Sequence, residues 1–259
     1  MLTYLFVMIL IANFFVGVLL GISSIGGFLL PLIFVGFLDM PLRDSLALSF
    51  FSFAVAGLIG AYYYWKSGNM DVKLATFLSI GSIPGALIGV KLNSLIPDHT
   101  AKLLLYLFVL LSGILLLLKS KKGNGNVNAK EHKASKLLDS KASTIIIGLI
   151  SAAICSLTGA GGPILLVPLL SNLGVSIRVA VGVCLLNSVV IAIPSVFGYF
   201  QYSDMENFSL LLVASVVGQI IGTVTGSIFS NKVKLNHLSI SIAALTMISS
   251  IYMIITLFI

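Results

Sequence analysis

Two glycine-rich stretches carry the residue types that could hold a small solute. The first reads Gly21-Ile22-Ser23-Ser24-Ile25-Gly26-Gly27-Phe28-Leu29-Leu30-Pro31. The second reads Cys155-Ser156-Leu157-Thr158-Gly159-Ala160-Gly161-Gly162-Pro163-Ile164-Leu165-Leu166-Val167-Pro168. Each lies between apolar runs. Glycine costs about 1 kcal/mol in a helix interior and proline about 3, so a helix is expected to break at both places. Non-helical backbone at membrane depth persists only when buried in protein or lining a wet cavity. Paired breaks in matching positions point to a transport site.

The chemistry on offer suits an anion. Breaks at Gly26, Gly27, Gly159, Gly161 and Gly162 would turn main-chain N–H groups toward a ligand. Helices restarting at Gly27-Phe28 and Gly162-Pro163 would add the positive ends of their dipoles. Proline fits a first helical position because its missing N–H has no partner to lose there. Ser23, Ser24, Ser156 and Thr158 precede the breaks and can donate to oxyanions. Asn187, deep in an apolar run, is a further ligand candidate, because an intramembrane amide must face the bundle interior or a cavity. Arg43 and Arg178 stand before long helices, where a guanidinium attracts anions and grips oxyanions with paired hydrogen bonds.

Each residue has a structural alternative. The glycines could serve close helix packing, and the hydroxyls could bond back to helix carbonyls. The arginines could be interfacial anchors that snorkel to headgroups, a reading slightly preferred for them. Gln219 reads as interhelical glue, and Cys155 as an inert apolar filler. Tyr62, Tyr63, Tyr64, Trp65, Tyr199 and Tyr202 close a span in each half and read as an aromatic belt. His99 and His237 open the final helix of each half. No carboxylate lies deep in a span, so proton coupling through a buried acid is not supported.

The elements that must position these residues follow from composition. The chain is 58% hydrophobic and 9% charged over 259 residues, against about 25% charged in soluble domains. It is therefore expected to be an all-α polytopic membrane protein. Apolar runs of spanning length are 2–20, 45–65, 74–92 and 100–118, then 143–157, 179–200, 208–229 and 238–257. Shorter runs, 28–37 and 164–173, follow the breaks and reach only about half of a ~30 Å core. The first run lacks a basic n-region and a cleavage site, so it reads as a membrane segment and not as a signal peptide. Cys155 and Cys184 have no metal-ligand spacing, and no cofactor is expected.

The halves repeat. An offset of 135 lays Gly26 and Gly27 on Gly161 and Gly162, Arg43 on Arg178, Tyr64 on Tyr199 and Asp71 on Glu206. An offset of 137 lays Gly85 and Gly89 on Gly222 and Gly226. Residues 1–118 and 142–259 are thus two transmembrane repeats, joined by a Lys-rich linker over 119–141. Seven of the fifteen basic residues lie in Lys119–Lys141, which marks a cytoplasmic loop and not a nucleic-acid surface. If the broken segments count as one crossing, the repeats are parallel. If the short runs return, the repeats are inverted, and Arg178, Lys232 and Lys234 join the linker inside. Positive charge favours the inverted form.

These residues resemble the TauE/SafE family, whose members carry a Gly-x-Gly-Gly-Gly-type stretch, an apolar run and a proline in each half. Gly159-Ala160-Gly161-Gly162 followed by Leu166-Val167-Pro168 matches well. The first copy departs, with Ser24 in place of a glycine and Pro31 arriving early. The resemblance spans the chain apart from Lys119–Lys141. It implies transport of a small, often sulfur-containing anion such as sulfite, sulfoacetate or another sulfonate.

The expectation is therefore a secondary transporter or facilitator in the cell membrane, working by alternating access between two broken helices near the midplane. Its partners would be a small anion, lipid and a second copy of the chain. A passive pore is the main alternative, and an intramembrane enzyme or an accessory factor the remote ones.

Overall fold

The computed structural model describes residues 2–23, 26–121, 138, 140–159, 161, 163–201, 208–229 and 235–258. The described residues are helical throughout, with no strand among them. The first half contains α1 (Leu2–Ser23), α2 (Leu29–Leu32) running into a π-helical turn (Ile33–Phe37), α3 (Leu42–Lys66), α4 (Val72–Leu95) and α5 (Asp98–Lys121). The second contains α6 (Lys141–Thr158), α7 (Pro163–Asn172), α8 (Ile177–Phe200), α9 (Phe208–Phe229) and α10 (Leu235–Phe258). Among them, seven helices are long and apolar enough to cross a membrane. Large side chains such as Leu58, Leu87, Phe197 and Ile248 face outward, while Asn13, Ser52, Ser82, Asn187 and Gln219 are buried. That distribution is what hydrocarbon outside and polar satisfaction inside require.

Local signals set several ends. The Asp71 carboxylate accepts the N–H of Leu74 at 2.9 Å and caps α4, while Ser176 accepts from Val179 and caps α8. Gly159 ends α6 in the left-handed conformation, with φ +71°, which costs a residue with a Cβ about 1–2 kcal/mol.

Glycines set the packing. A Cβ on Gly218, Gly222 or Gly226 of α9 would run into the carbonyls of Leu10, Phe14 and Val18 of α1. Likewise Gly81, Gly85 and Gly89 of α4 lie on the backbone of Ile145, Leu149 and Ala153 of α6. Each series ascends in both partners, so both pairs are parallel, with backbones in contact as small residues permit. The pairing is reciprocal: α1 with α9, α4 with α6, α3 with α8, α5 with α10.

The corresponding helices α3 and α8 run in opposite directions. Gly57 meets Leu185 and Val189, while Tyr64, further along α3, and Asn69, just beyond its end, meet Gly182, nearer the start of α8. In contrast, α6 and α8 are parallel. Ser82 bonds to both Gly148 and Asn187, and Ser156 bonds to Ser195. Both rungs join residues 39 apart. Two consecutive long helices of the same direction require the chain to pass back between them, and α7 is that return leg. Its ten residues cover about 15 Å.

Candidate functional site

The backbone opens at both breaks. Gly26 is buried at φ +111°, and Gly159 is buried at φ +71°. After the first break, Leu29 N–H donates to the Gly26 carbonyl at 2.9 Å and Leu30 N–H to the Gly27 carbonyl at 3.0 Å. These bonds start a single α-helical turn that widens at once into the π-helical turn. After the second, α7 runs for ten residues.

The breaks face different levels of α3. A Cβ on Gly27 would press on the ring of Phe53, near the middle of α3. A Cβ on Gly159 would overlap Leu46, one turn into α3, and would reach Pro31 of the first break at 3.6 Å. Phe50, between Leu46 and Phe53 on α3, packs edge-on to Phe53 and stacks on Tyr199 at 5.9 Å and 7°.

The hydroxyls divide. Ser156 is fully buried; its Oγ lies 2.8 Å from Ser195 Oγ, and its carbonyl accepts the Tyr199 hydroxyl at 2.6 Å. Thr158 donates to the Ile154 carbonyl at 2.7 Å, the back-bonding alternative named above. Ser23 is the last residue of α1, and Gly161 is buried. Ser24 and Gly162 lie outside the described residues, as does the side chain of Ser23.

Asn187 is fully buried. Its Oδ1 accepts from Ser82 Oγ at 2.8 Å, while its Nδ2 has no protein partner. A buried amide donor without an acceptor costs about 1–3 kcal/mol, so an anion oxygen here would relieve a standing penalty.

The arginines are not brought together. Because α3 and α8 are opposed, Arg43 and Arg178, each the second residue of its helix, stand at opposite faces. Arg43 lies 3.9 Å from Asp98, and Arg178 is exposed. Arg43 stands one turn before Leu46, the α3 residue that faces Gly159.

Two expectations need correction. Tyr199 is no belt residue: it is 1% exposed and hydrogen-bonded inside the bundle, whereas Tyr62, Tyr63 and Trp65 face outward. Gln219 does not bridge helices by its side-chain hydrogen bond; its Nε2 donates to Thr223 one turn along the same helix at 3.1 Å. Residues not foreseen include Ser82 and Ser195, the partners of Asn187 and Ser156. The halves' own register held a signal, since Ser82 corresponds to Gln219 at the offset that aligns Gly85 with Gly222. Asp44 is buried in the first turn of α3, at a helix end as all acids were read, but withdrawn from solvent. None of the predicted residues lines the cavity of about 250 Å³ between the starts of α4 and α6, whose wall includes Asp71, Lys73, Phe77 and Lys141.

Comparison with known proteins places this geometry. The family model described as sulfite exporter TauE/SafE matches residues 7–253. The chain is 28% identical over 229 residues to the probable membrane transporter protein YdhB of Bacillus subtilis (strain 168), covering 86% of this chain and 90% of the relative. It is 25% identical over 234 residues to the probable membrane transporter protein YjnA of the same organism, covering 84% and 89%. No solved structure matches it.

Proposed function

Because the chain belongs to the TauE/SafE family and is a multi-pass membrane transporter, we propose that it moves small, sulfur-containing anions of the sulfite, sulfonate or sulfoacetate type. The observation that carries this reading is a pair of buried helix breaks inside an apolar bundle, Gly26 at φ +111° and Gly159 at φ +71°. Further along the bundle, at the level of Gly148, the amide donor of Asn187 faces no protein acceptor. Main-chain groups freed at Gly26, Gly27, Gly159, Gly161 and Gly162 would hold the anion's oxygens. Ser156 would orient it at the second break, with Ser23, Ser24 and Thr158 beside the breaks, and Asn187, about 12 Å further along α8, would receive it on its path. Arg43 and Arg178, at opposite faces, would gather anions at the two mouths.

The repeats act as inverted halves in this reading, supported by the opposed directions of α3 and α8. The Lys-rich linker would lie in the cytoplasm, together with Lys66, Lys73 and Arg178. Alternating access would rock mixed bodies, since α1 packs on α9 and α4 on α6. One body would be α1, α3 and α9, the other α4, α6 and α8, sliding at the α3–α8 contact. No catalytic residue is assigned.

The test is uptake into proteoliposomes by the wild type and Gly161→Trp, with thermal-shift binding to sulfite, sulfate, thiosulfate, sulfonates and carboxylates. A folded Gly161→Trp protein with uptake reduced at least ~10-fold, about 1.4 kcal/mol of lost binding or barrier lowering, is expected. Unimpaired flux in that variant would remove the site. Flux that never saturates and shows no counter-transport would favour a passive pore.

A further inference from the structure

We infer that α9 carries a site for a monovalent cation of the sodium type, formed by uncharged oxygens around Gln219, which couples to the anion. The word couples rests on the anion reading above; the cation site itself does not.

Gln219 is fully buried, and its Oε1 has no hydrogen-bond partner. It lies midway along a helix that crosses the bundle. Ser215 and Thr223, one turn before and one turn after it, are also buried and share its face of α9. Ser215 Oγ lies 2.6 Å from Ser52 Oγ on α3, which in turn lies 2.6 Å from Asn13 Oδ1 on α1. Asn13 donates its own amide to Ile9. The junction of α1, α3 and α9 thus collects five oxygen-bearing side chains and leaves over an acceptor, not a donor.

Packing does not require this polarity. At the register that aligns Gly85 with Gly222, the positions matching Ser215, Gln219 and Thr223 are Leu78, Ser82 and Ala86. At the offset of 135 that aligns the two breaks, the position matching Asn13 is Gly148. The α4–α6–α8 junction therefore reproduces the same helix contacts with one hydroxyl and one amide, Ser82 and Asn187. Its leftover group is the reverse: the donor Nδ2 of Asn187.

The ligand set selects the charge. A leftover carbonyl oxygen among hydroxyl and amide oxygens suits a hard cation, which takes oxygen ligands. With no carboxylate among the five side chains, two positive charges would be buried without compensation, which is far costlier than one. A single charge, balanced by the co-transported anion, is what such a site can hold. Near the midplane of transporters sodium is likewise held by uncharged oxygens, there the carbonyls of unwound backbone.

The experiment uses the full-length protein, first in detergent with NaCl, KCl or choline chloride at equal chloride. Sodium alone is expected to raise Tm saturably, by about 5 °C at a large excess over Kd. In proteoliposomes, an inward sodium gradient should speed anion uptake about tenfold over a potassium gradient. Gln219→Leu should lose the sodium-dependent shift while keeping the shift produced by the anion. If that variant does not fold, Ser215→Ala and Thr223→Val serve in its place and should weaken the sodium response. Equal Tm and equal uptake in the three salts would overturn the site, as would uptake driven by a proton gradient alone or a sodium response retained in these variants. A sodium shift without any anion shift would keep the cation site and discard the anion reading.

Discussion

The two glycine breaks interrupt their helices with different backbones. The second is a helix stop followed by a clean restart: α6 ends on left-handed Gly159, and α7 then runs from Pro163 for ten residues. The first is a kinked passage: Gly26 at φ +111° opens into one α-helical turn that relaxes into a π-helical turn before Asp39 at φ +49°. Proline placement does not explain the contrast: Pro31 stands in the first turn of its helix, where a missing N–H is tolerated, and Pro168 lies inside α7, which stays α-helical. A wider turn of the π-helical kind is frequent at functional positions. What must be shared by the two breaks is an interrupted helix, and not one particular loop geometry.

Substitutions can break that comparison or sharpen it. The largest effect is expected at Gly159→Ala, which adds left-handed strain of about 1–2 kcal/mol to an overlap with Leu46 worth about 1–3. Loss of several degrees in Tm should follow, and in a Leu46→Ala background, itself destabilised by truncating a buried leucine, Gly159→Ala should cost only the strain part. Gly26→Ala faces no atom nearer than 3.5 Å and so carries strain alone, about 1–3 kcal/mol. Should the two alanine variants be equally destabilised, the assigned difference between the breaks is wrong. Tyr199→Phe removes the bond to Ser156 at the second break and should cost about 1 kcal/mol, read by thermal unfolding. Asp71→Ala, away from both breaks, removes the α4 cap and should cost a similar ~1 kcal/mol without changing the anion-induced shift. Arg178→Ala should move Tm least, because its side chain is exposed; a raised KM with unchanged kcat for uptake would show its role at the mouth.

Helix existence was legible in the sequence because twenty apolar residues in a row leave little else to be. The apolar run 45–65 grew only to Leu42–Lys66, and the run 179–200 to Ile177–Phe200. The return legs were legible through glycine and proline, though not the π-helical turn. Which face of each helix turns inward was not legible, and the reason is physical. Lipid tails are as apolar as a protein core, so a spanning helix has no polar side to mark the outside. Tyr199 and Tyr64 occupy matching positions near span ends, yet only the structure shows Tyr199 stacked on Phe50. The partnership of Asn187 with Ser82 was hidden for the same reason. Polar residues signal that they are buried; they do not signal with whom.

The exchanged pairing of α1 with α9 and α4 with α6 bears on how the chain is made. As the ribosome delivers α1, the surface that will receive Gly218, Gly222 and Gly226 has nothing to close on until almost the whole chain has been inserted. Neither half therefore completes its own interior, and each must wait in the bilayer for the other, held meanwhile by lipid or by an insertion factor. Two halves expressed as separate polypeptides should stay incomplete apart and regain their mutual grip when produced together.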